Sequence, residues 1–293
     1  MKAQISNKPG FIAALDQSGG STPGALKAYG IPESAYSGEA EMYKLMHEMR
    51  VRIISSPAFT GEKVIAAILF ERTMDGQAHG KPVPTYLWED RGVVPFLKVD
   101  KGMEAEKDGV TLMKPIDGLD ALLERAVKLG IYGTKMRSTI NLASPSGVAA
   151  IVKQQFECGA QIAAHGLVPI LEPEVLIKSP EKAAAEALLV SEVLKGLDAL
   201  PSDRQVMLKV TIPEVADLYA PVIAHPRMQR VVALSGGYPR SAACDRLAAN
   251  HGMIASFSRA LIAGLTVNMS DAEFDAALKA AIDEIYTASA VKT

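Results

Sequence analysis

Leu167-Val168-Pro169-Ile170-Leu171-Glu172-Pro173-Glu174 is the stretch on which the fold of this chain turns. Five apolar residues run straight into two carboxylates spaced two apart. A run this short reads as a buried strand whose polar groups stand at its C-terminal end. Moving outward by 37 residues in either direction meets the same pattern: Lys135 follows Ile131-Tyr132-Gly133-Thr134, and Lys209 follows Val206-Met207-Leu208. One step further back, Lys98 follows Val93-Val94-Pro95-Phe96-Leu97. A step of 37 holds one strand, one helix and two loops, and polar groups recurring at strand ends mark the mouth of an α/β barrel. The regularity reflects only the length of a βα unit, because the spacing is 82 from Asp16 to Lys98 and 26 from Lys209 to Ser235.

Around these four units the apolar and β-branched runs predict eight strands, over residues 11–15, 63–70, 93–99, 131–136, 167–172, 205–211, 230–235 and 254–258. Helical spacing fills most intervals. Leu119, Leu122, Leu123, Ala126, Val127 and Leu129 predict a helix over 118–129, stopped by Gly130. Residues 147–164 repeat the pattern, and 180–197 do so between Pro180 and Gly196. Ser270-Asp271-Ala272-Glu273 is a capping box, and Phe274, Leu278, Ile282 and Ile285 then share one face of a C-terminal helix. Strand–helix alternation without a linker predicts a single (β/α)8 barrel of the TIM type spanning 1–293, with that helix at its end. The rival is a doubly wound open sheet, but no Gly-x-Gly-x-x-Gly follows an early strand. Residues 17–62 and 71–92 depart from the template.

The bulk numbers exclude several classes of function. A net charge of −2 provides no field for nucleic acid or an anionic membrane, so any basic site must be local. Cys158 and Cys244 are too few for a disulfide framework, and the five histidines show no metal-ligand spacing. The N-terminal ten residues lack the apolar core of a signal peptide, and no run of about 18 apolar residues suggests a membrane span. The chain reads as a soluble, reduced, cytoplasmic protein without nucleic-acid or membrane partners, and its sequence is compatible with a homo-oligomer without indicating one.

On a strand, positions i and i+2 share a side. Asp16 therefore pairs with Ser18, Lys98 with Asp100, Lys135 with Arg137, Glu172 with Glu174, and Lys209 with Thr211, all able to face the mouth. Such charges are buried only when mutually paired, so the plain alternative is a salt-bridge network. Lys209 stands in Val206-Met207-Leu208-Lys209-Val210, and a lysine with an apolar stem beside another cation loses its proton more readily, freeing an amine that attacks carbonyls. The competing reading is a lysine snorkelling to water. Crowding Glu172 against Glu174 suits acid–base work, or simply neutralises lysines. Leu234-Ser235-Gly236-Gly237 ends the seventh strand and Ser256-Phe257-Ser258-Arg259 lies in the eighth unit, where barrels often hold phosphate. Glycines there admit an anion to the backbone, and Arg259 offers a planar fork. Ser18-Gly19-Gly20-Ser21 is a second loop that could hold the other end of a substrate.

Together these residues resemble the class I fructose-1,6-bisphosphate aldolases, in their shorter bacterial branch. The resemblance runs along nearly the whole chain through Ala13-Ala14-Leu15-Asp16-Gln17-Ser18, Leu97-Lys98-Val99-Asp100-Lys101-Gly102, Thr134-Lys135-Met136-Arg137, Val168 to Glu174, Leu208-Lys209, Leu234 to Gly237 and Phe257-Ser258-Arg259-Ala260-Leu261. It implies a Schiff base on Lys209, dehydration assisted by Glu172, and Asp16 as the base at the C4 hydroxyl. Lys135 would lie near the reacting carbons, oriented by Glu174. Ser235, Gly236 and Arg259 would hold the C1 phosphate, with Gly237 beside them. Lys98, Ser18 and Ser21 are candidates for the other phosphate, and Arg137 for substrate contact. The resemblance implies sugar phosphates as the small-molecule partners, work in glycolysis and gluconeogenesis, and no metal or other cofactor, since the protonated imine is the electron sink. The alternatives are a Schiff-base aldolase for another phosphosugar, or a catalytically silent phosphosugar-binding scaffold. In animal members a basic pair follows the position of Ser21; here Gly24-Ala25 stand there, with only Lys27 near. Met136 replaces an aromatic residue. Animal members also carry a mobile tail ending in tyrosine, whereas Tyr286 lies seven residues from this C-terminus.

Overall fold

The computed structural model describes residues 1–293. Eight strands pair in chain order, every neighbour parallel: β1 (Phe11–Leu15), β2 (Val64–Leu69), β3 (Val94–Lys98), β4 (Gly133–Ile140), β5 (Val168–Val175), β6 (Val206–Thr211), β7 (Met228–Leu234) and β8 (Met253–Ala255). The eighth strand curls back to the first, where the Ala14 N–H donates to Phe257 O at 3.0 Å. The result is the expected barrel. β4 and β5 run past their expected ends, in unbroken register from Gly133↔Val168 to Ile140↔Val175. The sequence pattern stops at the first charge, but Arg137, Glu172 and Glu174 neutralise one another and stay in the ladder.

Helices α1 (Lys2–Asn7), α2 (Thr22–Ala28), α3 (Gly38–Ser55), α4 (Leu119–Lys128), α5 (Pro145–Ala164), α6 (Lys182–Asp198), α7 (Arg240–Ala248) and α8 (Asp271–Ala290) accompany the strands. Two units lack a full helix. Residues after β2 form short helical turns at Glu71–Met74, Val83–Thr85 and Tyr86–Asp90 and a small antiparallel hairpin of Gln77–Ala78 with Lys81–Pro82, and the chain after β6 forms only Ala220–Ile223. The 17–62 excursion is two helices, α2 and α3. The capping box of α8 is made: Ser270 Oγ accepts from the Glu273 N–H at 3.3 Å, and Glu273 Oε2 accepts from the Ser270 N–H at 2.9 Å. Phe274, Leu278, Ile282 and Ile285 are buried as expected.

Strand alternation divides the barrel interior into two levels. Ile12 and Ala14 on β1, Val94 and Phe96 on β3, Ile170 on β5, Met207 on β6, Val232 on β7 and Ile254 on β8 form an apolar floor. Each large side chain there contributes about 2 kcal/mol by leaving water. Helix α1 seals the floor from below: Ile5 is fully buried in it, and Gln4 Nε2 donates to the carbonyls of Ile65 and Gly92, both at 2.8 Å. Two residues further along, the same inward stripe carries Asp16, Lys98, Glu172 and Lys209. The apolar floor excludes water from beneath the charged level.

Gly133 begins the strand that carries Lys135, and the floor depends on its missing side chain. A Cβ there would meet Val168 O at 2.2 Å and Phe96 Cε1 at 2.6 Å. Gly133→Ala is expected to destabilise the protein by about 3 kcal/mol, since neither backbone nor ring can retreat in a packed interior. Urea unfolding would measure this, and wild-type stability would contradict it.

Candidate active site

The inward stripes of β1, β3, β4, β5 and β6 converge on one cavity of about 790 Å³ at the C-terminal ends of the strands. It is lined by Asp16, Ser18, Ser21, Lys98, Arg137, Lys135, Glu172, Glu174, Lys209, Ser235, Gly236 and Arg259. Gly237 is the one expected residue outside the lining, although it lies directly behind Arg259.

Four groups at the lower level form a continuous chain of charge. Lys135 Nζ lies 2.7 Å from Asp16 Oδ2 and 2.8 Å from Glu172 Oε2, and Lys209 Nζ lies 3.0 Å from Glu172 Oε1. All four side chains are under 10% exposed. The Lys135–Glu172 contact is an ion pair without hydrogen-bond alignment, so Glu172 Oε2 retains capacity for a further donor. Burial pushes the Asp16 carboxyl up, but Lys135 and Lys209 outweigh it and hold the group at about 2. Burial likewise opposes charge on Lys135, yet Asp16, Glu172 and Asp100 raise it above its ordinary value. Glu172 is held below the usual carboxylate range, because Lys135 and Lys209 overcome its burial. Lys135 and the two carboxylates beside it keep each other ionised throughout the neutral range.

One level up, Arg137 Nε donates to Glu174 Oε2 at 2.5 Å. Glu174 therefore faces Arg137 rather than orienting Lys135, because the two carboxylates of β5 lie at successive levels and each takes the cation at its own height. Lys98 Nζ folds back onto Asp100, 2.8 Å from both Oδ1 and the backbone carbonyl. Asp100 Oδ2 is buried without a partner. Thr211 turns away from the mouth, its hydroxyl donating to Val175 O.

The two loops expected to hold anions flank this cluster. Gly236 and Gly237 take positive φ values of 60° and 112°, and a Cβ on Gly236 would meet Ile177 Cγ2 at 2.5 Å. Only glycine lets this backbone turn close to the Arg259 guanidinium. Across the cavity, Ser21 Oγ donates to Ser18 O at 2.9 Å, holding the first loop in a tight turn. Gly24 and Ala25 line the cavity there with Ala28, Tyr29, Met49, Ile53 and Leu265, giving that wall an apolar character; Lys27 is exposed and outside it.

Beyond Ser18 and Ser21, residues from the excursion after β1 were not legible as part of the site. Gln17, Met49 and Ile53 all line the cavity. The signal was a helix, α3, whose inner face repeats Met42, Met46, Met49 and Ile53 around a single buried arginine, Arg50. Tyr286 sits at the opposite pole. Its ring packs 5.6 Å from Lys63 Nζ, and Lys63 immediately precedes β2, where the strands begin. No three His, Cys, Asp or Glu side chains converge as metal ligands.

Comparison with known proteins matches this chain to one family. The family model for "Fructose-bisphosphate aldolase class-I" matches residues 12–218, ending before the loop at Ser235. Two curated relatives extend across it. The "Fructose-bisphosphate aldolase class 1" of Synechocystis sp. is 57% identical over 286 residues, covering 98% of this chain and 95% of its own. That of Porphyromonas gingivalis is also 57% identical over 286 residues, covering 98% and 97%. Among solved structures, a fructose-bisphosphate aldolase from Plasmodium falciparum superposes with a TM-score of 0.78 at 21% identity, covering 100% of this chain and 94% of that one. At that identity the structural likeness speaks for the barrel alone; family membership rests on the sequence matches. The chain belongs to the class I fructose-bisphosphate aldolases.

Proposed function

We propose that the mouth cluster carries out reversible cleavage of fructose 1,6-bisphosphate to dihydroxyacetone phosphate and glyceraldehyde 3-phosphate through an imine on Lys209, within a single barrel spanning residues 1–293. The observation that carries this reading is the buried sequence of contacts Asp16–Lys135–Glu172–Lys209, with every neighbour within 3.0 Å. A structural ion network could be placed anywhere in the interior. This one is roofed by a cavity flanked by two glycine- and serine-containing loops, which supports a substrate carrying a phosphate at each end.

The steps follow from the contacts. Lys209 first gives its ammonium proton to Glu172, 3.0 Å away, and the free amine then adds to the C2 carbonyl, its second proton moving to the new alkoxide to make the carbinolamine. The Lys209 ammonium is one of the charges that depress Glu172, so its neutralisation raises the proton affinity of Glu172 as the proton arrives. Glu172 then protonates the carbinolamine oxygen, which leaves as water and produces the iminium. Asp16 takes the C4 hydroxyl proton, the C3–C4 bond breaks, and its electron pair flows through C3 into the iminium to make an enamine. Held at about 2 in the resting site, Asp16 enters the step ionised but is intrinsically a weak base; the driving force comes from the iminium. Glyceraldehyde 3-phosphate departs, C3 takes up a proton that balances the one held by Asp16, which returns to its carboxylate, and hydrolysis frees dihydroxyacetone phosphate and Lys209. Lys135 stays cationic beside both carboxylates, and Arg137, steadied by Glu174, faces the substrate.

Ser235, Gly236 and Arg259, backed by Gly237, take the phosphate nearer C2. Ser18, Ser21 and Lys98 take the other. Docked at the far pole, Tyr286 is not the group that protonates the enamine in this conformation. We further assign the enzyme to glycolysis and gluconeogenesis in the cytoplasm, where free thiols such as Cys158 and Cys244 persist; no helix is long and apolar enough to cross a membrane.

Turnover tests the assignment. Purified enzyme in EDTA is expected to release both triose phosphates from fructose 1,6-bisphosphate at an undiminished rate. It should process fructose 1-phosphate with a kcat/KM lower by about 10-fold or more, since polar groups built for the second phosphate go unused. Activity abolished by EDTA, or equal efficiency on both ketoses, would contradict the reading.

A further inference from the structure

Arg50 is 1% exposed, on the inner face of α3, and has no carboxylate within ion-pair distance. A buried cation without a counter-ion is costly, and burial lowers this guanidinium to about 10 despite the nearby Asp16 charge. Its fork is spent on neutral acceptors at the barrel mouth. Nη1 donates to Thr73 Oγ1 at 2.8 Å, in the turn after β2. Nη2 donates to the backbone carbonyl of Gln17, the residue following Asp16, and lies 3.5 Å from Gln17 Oε1. The Gln17 amide, so oriented, donates from Nε2 to Ser258 Oγ at 2.6 Å. Ser258 immediately precedes Arg259. Four side chains from four separate segments thus run from the turn after β2, past the backbone that carries Asp16, to the phosphate arginine.

We propose that Arg50 is a positioning residue, and that the relay Arg50–Gln17–Ser258 sets the Asp16 carboxylate and the Arg259 guanidinium in register with each other. This deepens the proposed function and rests on its assignment of Asp16 and Lys209. The chemistry requires such a device. The carboxylate that deprotonates C4 directly follows β1 and the phosphate anchor is beyond β8, so the substrate spans the seam where the barrel closes. At that seam β8 is only three residues long, and the ladder is a single bond from Ala14 to Phe257. Gln17 is suited to bridge it because its amide presents an acceptor to Arg50 and a donor to Ser258 at once. Arginine is needed because one planar group must reach both Thr73 and Gln17; a lysine can satisfy only part of that geometry.

The test separates positioning from mere folding. Because Lys209 forms the imine without Asp16, loss of the relay should spare borohydride-trapped imine with dihydroxyacetone phosphate while slowing carbon–carbon cleavage. Arg50→Met is expected to trap imine on Lys209 as wild type does while kcat for fructose 1,6-bisphosphate falls about 10- to 100-fold, the scale of an ångström-sized misplacement. Arg50→Lys should recover part of that loss. Gln17→Ala and Ser258→Ala, which leave the buried arginine in place and test the relay even if Arg50→Met does not fold, should raise KM about 10-fold with a smaller effect on kcat. Wild-type cleavage in Gln17→Ala and Ser258→Ala, or imine and cleavage falling in equal proportion in Arg50→Met, would overturn the relay while leaving the imine reading intact. No wild-type adduct on Lys209 would overturn the proposed function itself.

Discussion

Lys209→Ala is expected to reduce cleavage of fructose 1,6-bisphosphate by about a hundred-thousand-fold or more, the scale on which removal of a covalent nucleophile is felt. No other amine in the cavity can stand in. Lys135 is committed to Asp16 and Glu172 and held strongly cationic, which removes the lone pair needed for attack. Lys98 is turned back onto Asp100. The variant should still fold, because Glu172 keeps Lys135 at 2.8 Å and is not left as an uncompensated buried charge. Urea unfolding measured beside activity separates the two effects. Residual turnover within about a hundredfold of wild type would mean that the imine is not on Lys209.

Asp16→Asn is expected to split the reaction. Imine formation involves Lys209 and Glu172, which Asp16 does not touch. Carbon–carbon cleavage requires a base at the C4 hydroxyl, and an amide cannot accept that proton. Cleavage should fall about a thousandfold, within the range for loss of a general base, while borohydride still traps the adduct. The substitution also removes one of the two carboxylates on Lys135, so the cavity gains net positive charge. That change favours binding of a phosphate-bearing substrate, so a fall in kcat accompanied by an unchanged or lower KM is the expected pattern. Cleavage at the wild-type rate would refute Asp16 as the base. Loss of imine together with cleavage would show that Asp16 acts earlier.

What could be read from the sequence followed from strand physics. Alternation with period two forces Asp16, Lys98, Lys135, Glu172 and Lys209 inward once the strands close into a ring, so the lower level of the site was legible from spacing alone. The extra length of β4 and β5 was not, because a charge inside a strand looks like its end until its partner across the ladder is known. Glu174 was expected on Lys135 and is found on Arg137 for a related reason: strand periodicity indicates which side a residue faces, but not its height in the barrel. Residues 17–62 hid Met49 and Arg50, since the periodic inner face of α3 marks burial but not what that face covers, and Gln17 stands in the loop between β1 and the helices. Gly237, chosen with its neighbour Gly236, stands one residue beyond the cavity wall and serves the turn rather than the lining. The placement of Tyr286 is a matter of tertiary docking: Lys63, 223 positions earlier in the chain, holds its ring at the floor.

The central claim is that one lysine, at the end of the sixth strand, becomes covalently joined to the ketose carbon. Borohydride reduction in the presence of dihydroxyacetone phosphate, followed by peptide mapping, tests it most directly. The account predicts a single adduct on Lys209, formed equally in the presence of EDTA and absent from Lys209→Ala. An adduct on Lys135 or Lys98, or no adduct in the wild-type enzyme, would contradict it.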